Sequence, residues 1–247
     1  DLGPYGKLDF VACPPGEVEL MTDWQTGGLY RVTLTKPYWI MRYPLTNRQM
    51  SFYPPLYDRE VMDGKADDHY AYPNKQLAKG IIEIFNQRLK SRLPEGYEIR
   101  LPTLAEWERA YHADASDPSD PYYDLTHIHI QDDLWKRIAY DHDAKGSMRQ
   151  TEPNRWGIGD WCGFEKVYDT FAPEELEKSP DYAANPSAYQ IRALPRPPSL
   201  VDPVWQSDAT NRAVIVRMPF WARWCGSVES SRDDWTAMRL VIGPKLK

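Results

Sequence analysis

The side chains best suited to chemistry lie near the C-terminal end of the sequence, and Cys225 is the only candidate thiol of that segment. Cys225 follows Arg223 and Trp224, and a nearby guanidinium lowers the pKa of a thiol and makes it more reactive. A lone cysteine is otherwise a small buried hydrophobic side chain. The sequence therefore indicates Cys225 as the one candidate catalytic residue, with a packing role as the alternative.

The same segment contains aromatic rings next to charged groups. Such a mixture suits an extended polar ligand or a protein partner. For at least two of the tryptophans, packing in the core is the alternative. We predict the ligand-binding residues to be Trp205, Arg217, Trp221, Arg223, Trp224, Arg232, Asp233 and Trp235.

Two histidines are weaker candidates for a metal site. His127 and His129 alternate in a short strand-like piece and would share one of its faces. With Asp124, Asp132 or Asp141 they would imitate the two-histidine, one-carboxylate site of non-haem iron. Ordinary surface or packing histidines are the alternative.

The overall composition argues against several classes of protein. Lys+Arg 30 and Asp+Glu 36 give a net charge of −6, which indicates no basic surface for nucleic acid or an anionic membrane. No apolar run approaches the ~20 residues that span a bilayer, and no signal peptide is visible. Three scattered cysteines are too few for a zinc site or a disulfide framework, although one bridge stays open. The compartment is open too, and would be extracytoplasmic if Asp1 is a processed terminus.

A capped helix is the clearest local element. In Arg100–Tyr111, the spacing of Thr103 and Glu106 predicts a reciprocal capping box, in which each side chain accepts from the backbone amide of the other residue. Leu104, Trp107 and Tyr111 then fall on one helical face. This pattern predicts a helix that packs one face on the core.

Other periodic stretches predict the rest of the fold. Residues 8–21 read as two strands around a Pro-Pro-Gly turn, and residues 30–43 as two strands at a sheet edge, because a proline interrupts them. A short helix follows at 44–50, capped by Thr46 or Asn47. Residues 76–93 form a longer helix, and strand-like alternation returns at 213–217 and 235–242.

The order of the motifs resembles the formylglycine-generating enzyme, or sulfatase-modifying factor, domain family. Its signature R-L-P-T-E-A-E-W-E matches Arg100–Glu108 with one substitution, at Leu104, and its P-N-x-W-G-L-x-D-M-x-G-N motif is similar to Pro153–Gly163. Weaker matches are the Pro-Gly turn in 13–21, the V-T-N-like element at 44–47 and the closing A-M-R at 237–239. The similarity spans nearly the whole chain.

The resemblance implies an α+β, C-type-lectin-like fold with little regular secondary structure and long ordered loops. The composition independently predicts little regular secondary structure, because the chain has 22 prolines and only 14 glycines. We expect one domain over residues 1–247, with a proline-rich surface excursion at about 172–203. The capped helix and the P-N-R-W-G turn would then be scaffold.

The resemblance also bears on cofactors. The family's oxidases bind copper through a pair of cysteines in the C-terminal segment, and Cu(I) wants two thiolates. Between Arg212 and Arg239 this chain has only Cys225, so copper and formylglycine formation are not expected. Calcium stays open: Asp160 and Gly163 match family ligands, and Glu165 aligns if residues are deleted, with a satisfied turn carboxylate as the alternative.

These observations favour a ligand- or protein-binding or scaffold subunit, with any ligand at the C-terminal segment as the resemblance implies. A metal-dependent oxidoreductase of the family, acting on a thiol or peptide, is the alternative. A third interpretation is a polypeptide partner of a sulfatase or larger assembly, contacting it through the acidic 172–203 excursion.

Overall fold

The structure is a computed structural model of the 247-residue chain. It describes residues 1–21, 29–52, 70–71, 73, 75–113, 154–159, 165–167, 199–202, 215–217, 226–227 and 237–246. At 19–21, 29–30, 75, 165–167, 199–200, 215–217 and 226–227 it describes the backbone alone.

The described residues contain both strands and helices, so the predicted α+β class is confirmed. The strands are β1 (Phe10–Cys13), β2 (Gly16–Met21), β3 (Leu29–Leu34), β4 (Tyr38–Met41), β5 (Tyr97–Arg100), β6 (Glu165–Val167), β7 (Ser199–Val201), β8 (Ile215–Arg217), β9 (Gly226–Ser227) and β10 (Val241–Pro244). The helices are α1 (Asn47–Met50), α2 (Lys75–Leu89) and α3 (Leu104–His112), with 3-10 turns at Gly3–Tyr5 and Lys90–Arg92.

The strands form three small sheets. The first has the order β1-β4-β10-β5 and is antiparallel throughout. The second has the order β2-β3-β7, in which β3 pairs antiparallel with β2 and parallel with β7. The third, β6-β8-β9, is antiparallel. All three sheets therefore bring strands from distant parts of the chain together.

The prediction that residues 30–43 lie at a sheet edge was wrong. In the structure β4 lies between β1 and β10, and β3 lies between β2 and β7. The interrupting residue, Pro37, falls in the connection between the two strands. Its missing N–H therefore costs neither ladder a hydrogen bond, and an edge position is not required.

The first sheet is covered on both faces. Successive strand residues point to opposite faces, so Ile40 and Val241 pack in one cluster with Trp107 of α3, while Met41 packs in another with Phe85 of α2. All five side chains are at most 2% exposed. The sheet thus fixes the two longer helices on either side of it.

The predicted capping box of α3 is confirmed in both directions. The amide of Glu106 donates to Thr103 Oγ1 at 3.2 Å, and the amide of Thr103 donates to Glu106 Oε2 at 2.8 Å. Every residue from Leu104 to Tyr111 is buried, including Glu106, Glu108 and Arg109. The helix therefore packs on more than its apolar face, and its polar side chains lie inside the protein.

None of the described helices combines the length and apolar character that crossing a bilayer requires.

Candidate functional site

Residues 203–236, which carry the predicted ligand-binding set, begin at a fixed point of the second sheet. Asp202 directly follows β7, and its backbone adopts the left-handed conformation, with φ 44°. Its Oδ1 accepts from the amide of Thr35 at 2.7 Å, its Oδ2 accepts from the Thr35 hydroxyl, and its own amide donates to Thr33 O at 2.9 Å. Aspartate tolerates this backbone conformation better than most residues. The entry of the segment is thereby tied to the end of β3.

The segment ends at a second, buried fixed point. Residues 237–241 are fully buried, and the guanidinium of Arg239 lies among backbone carbonyls. Nη1 donates to Met41 O at 3.0 Å and to Arg42 O at 2.8 Å, and Nη2 donates to Gly159 O at 3.1 Å. Arg239 therefore joins the end of β4, the loop at residue 159 and the entry to β10.

The P-N-R-W-G turn is docked on α3 by one side chain. Asn154 Nδ2 donates to Ala110 O at 2.7 Å and to Tyr111 O at 3.1 Å. Asn154 Oδ1 accepts from the amides of Trp156 and Ile158, both at 3.1 Å. The turn leads directly to Gly159, whose carbonyl binds Arg239. Both family-like motifs are thus part of the frame that holds the C-terminal segment.

Two of the predicted site residues come together in the third sheet. Glu165 of β6 and Arg217 of β8 are directly opposed in the antiparallel register. The structure describes only their backbones. The remaining candidates lie outside the described residues: Trp205, Trp221, Arg223, Trp224, Cys225, Arg232, Asp233, Trp235, Asp160 and Gly163, together with Cys162 and the His127 and His129 group.

Cys13 is the described cysteine, and its surroundings do not suit metal binding or nucleophilic catalysis. Its side chain is 1% exposed, and burial raises the pKa of the thiol from 9.0 to about 12, against a smaller opposing effect of the hydrogen bond with Tyr38. Burial also raises the pKa of Tyr38, whose hydroxyl donates to Glu106 O at 2.6 Å. A thiol that stays protonated at neutral pH is a poor copper ligand. Within the described part of the chain no three His, Cys, Asp or Glu residues cluster as metal ligands would.

Of the two anchoring residues, the sequence drew attention to Arg239 only as part of the A-M-R motif and not to Asp202, although each leaves a signal there. Arg239 is a single charge within the apolar run A-M-R-L-V-I, and a charged residue among buried neighbours is normally paired or hydrogen-bonded. Asp202 precedes Pro203, and Asp-Pro dipeptides favour turns. These patterns indicate special positions, but not the partners that bind them.

No protein-family model and no curated protein matches the chain. Among solved structures, Treponema denticola variable protein 1 is similar, with a TM-score of 0.61 at 14% identity over 94% of each chain. That likeness shows a shared fold. CarF has a TM-score of 0.47 at 16% identity over 97% of this chain and 99% of CarF, which is too distant to carry an argument.

Proposed function

We propose that the chain is a sulfatase-modifying-factor-like domain of C-type-lectin-like fold that binds a protein partner or another extended polar ligand through residues 203–236. On this proposal it has no formylglycine-generating activity. The chain has 10 tryptophans, and four of them lie in this segment, near arginines and aspartates. Aromatic residues and arginine are the side chains that most often dominate binding energy at protein interfaces.

One observation carries the proposal: both ends of the segment are held by polar contacts to the frame. Asp202 binds Thr35 at the entry, and Arg239 binds three carbonyls at the exit. The partners of these contacts lie at the ends of β3 and β4 and at residue 159, all within the described part of the chain. Binding residues commonly lie on connections that a rigid scaffold positions, and these contacts fix both ends of such a connection.

A second observation supports a scaffold role for the motifs that suggested the family. Residues Leu104–Tyr111 are all buried. The side-chain amide of Asn154 forms hydrogen bonds to backbone groups through both its nitrogen and its oxygen. The Asn154 amide, engaged in this way, cannot also contact a ligand. The proposal therefore assigns recognition to the C-terminal segment and stability to the motifs.

The experiment is a quantitative capture from an extract of the source organism with the immobilised full chain. The variants are R223A and W221A/W224A, and R92A is the matched control because Arg92 is exposed on a separate 3-10 turn. Thermal unfolding of each variant verifies that it is folded. We expect a component that wild type and R92A retain and that both segment variants lose. Equal capture by folded segment variants would contradict the proposal.

Metal analysis tests the oxidoreductase alternative separately. The purified chain is measured for copper and iron by inductively coupled plasma mass spectrometry. The proposal expects neither metal in stoichiometric amount. One equivalent of copper or iron, lost in a Cys225→Ser variant, would favour the oxidoreductase instead.

A further inference from the structure

A cleft of about 320 Å³ opens where the ends of four strands meet. Its walls come from the ends of β3, β7 and β10 and from the junction between β5 and α3. Volumes of roughly 300 to 1,000 Å³ are typical of small-molecule sites.

The floor of the cleft is polar and rigid. Arg100 and Glu106 form a buried two-pronged ion pair there, with both N–O distances 2.7 Å. Arg100 Nε also donates to Pro244 O at 3.2 Å, and the cap residue Thr103 lies beside the pair. Because these groups bind one another, the floor keeps its shape without a ligand.

The rim of the cleft carries an excess of positive charge. Lys36 and Lys245 both line it, both are exposed, and neither forms an ion pair with a described residue. Of the two carboxylates in the lining, Glu106 is balanced by Arg100, which leaves the two lysines against the single charge of Asp202. The cleft is therefore locally basic in a chain whose net charge is −6.

The remaining wall is apolar and open to solvent. Val201 is 64% exposed and is the large hydrophobic residue that the described surface exposes most. Leu34 and Leu246 line the cleft with it. An apolar ligand group placed here would remove Val201 from water, which is worth roughly 25 cal/mol per Å² of buried apolar surface.

We propose that this cleft binds a small organic anion, a carboxylate or phosphate monoester carried on an apolar body. The anionic group lies between the ammonium groups of Lys36 and Lys245, and the apolar body lies against Val201. The proposal is independent of residues 203–236, because each residue it uses lies outside that segment.

The test titrates the full chain with phenyl phosphate, phenylacetate and the neutral 2-phenylethanol, following amide shifts by ¹H-¹⁵N NMR. We expect both anions to shift cleft resonances and the alcohol to bind at least about tenfold more weakly, as expected when charge-assisted hydrogen bonds are lost. Inorganic phosphate probes the rim alone, and its binding should not change in V201S. The two organic anions should bind V201S more weakly.

Variants locate the binding groups. K36M/K245M keeps the apolar stems and removes both charges, so anion affinity should fall by about tenfold or more. K79M is the matched control, because Lys79 is exposed on α2 and does not line the cleft. The proposal is overturned if the neutral alcohol binds as well as the anions, if K36M/K245M retains wild-type affinity, or if no probe binds at about 10 mM.

Discussion

Arg100 and Glu106 form an ion pair inside the protein, with Nη1–Oε2 and Nη2–Oε1 distances of 2.7 Å. The two side chains are only 4% and 6% exposed. The same carboxylate accepts the amide of Thr103, which closes the capping box of α3. One carboxylate therefore fixes both the start of a buried helix and the end of β5.

Glu106→Gln should be strongly destabilising. The substitution leaves the Arg100 guanidinium buried without its counter-charge, which typically costs about 3–5 kcal/mol. Glu17→Gln is the matched control, because Glu17 is 60% exposed and lies 4.0 Å from Arg31. We expect the control to change the free energy of unfolding by less than about 1 kcal/mol. Urea unfolding measures both, and similar losses would contradict the prediction.

The buried thiol of Cys13 should make stability depend on pH in the alkaline range. Burial raises the thiol pKa from 9.0 in the unfolded chain to about 12 in the folded one. As the pH rises, the thiol therefore loses its proton in the unfolded state before it does so in the folded state. The contribution of the thiol to the free energy of unfolding is fully present below pH 9 and is lost as the pH rises toward 12. Between pH 8 and pH 10 the loss should be about 1.4 kcal/mol.

Cys13→Ala isolates that contribution. Other groups titrate over the same range in both proteins, so the difference between the two stability curves reports the thiol. Urea unfolding at several pH values should give a flatter curve for the variant between pH 8 and pH 10. Parallel curves would show that the thiol ionises equally in the folded and unfolded states. Tyr38, whose pKa burial also raises, adds its own loss above pH 10 in both proteins.

Local patterns predicted the elements that depend on neighbours in sequence. The capping box at Thr103 lies within one turn, and so does the one at Thr46, where α1 begins as expected. The two strands β1 and β2 follow from alternation around Pro14 and Pro15, although each joins a different sheet. In each case the physics that decides the structure acts over a few residues.

These local patterns do not predict which strands from distant parts of the chain pair with one another. β5 was not predicted, because Tyr97–Arg100 is short and its place follows from pairing with β10. β7 lies in the residues expected to form a surface excursion, and its parallel pairing with β3 joins distant parts of the chain. The burial of Glu106 and Arg109 was also missed, since helical periodicity treats charged residues as surface. Partners that lie far away in sequence decide all of these.

Gly157 and Gly96 form a natural comparison. Their φ angles are 77° and 78°, so alanine is strained equally at both. A Cβ at Gly157 would lie 2.6 Å from Arg42 Nη1, whereas nothing lies within 4 Å of one at Gly96. We expect Gly96→Ala to cost about 1 kcal/mol and Gly157→Ala about 1 kcal/mol more, because Arg42 must give up its hydrogen bond to Gly157 O.

A double-mutant cycle separates the two causes. In an Arg42→Ala background the clash is gone, so Gly157→Ala should then cost as much as Gly96→Ala does in wild type. Thermal unfolding of the four Gly157 and Arg42 combinations gives the coupling. A coupling near zero would mean that the backbone conformation, not the contact, sets the cost at Gly157.

Arg239 is the residue on which the frame of the C-terminal segment most depends. Its guanidinium is 0% exposed and donates hydrogen bonds to the carbonyls of Met41, Arg42 and Gly159. The fork of an arginine can reach acceptors in several directions, whereas the ammonium of a lysine is a compact point charge on a flexible stem. Methionine would leave all three carbonyls without this donor.

We therefore expect Arg239→Lys and Arg239→Met each to lower the free energy of unfolding by about 3 kcal/mol. Arg92→Lys and Arg92→Met are the matched controls at an exposed arginine, with expected changes within about 0.5 kcal/mol. Hydrogen exchange should also quicken at the amides of Met41 and Leu45, which donate to Leu240 O and Met238 O beside Arg239. If Arg239→Lys were as mild as its control and exchange unchanged, the guanidinium would not be what ties the end of the segment to β4.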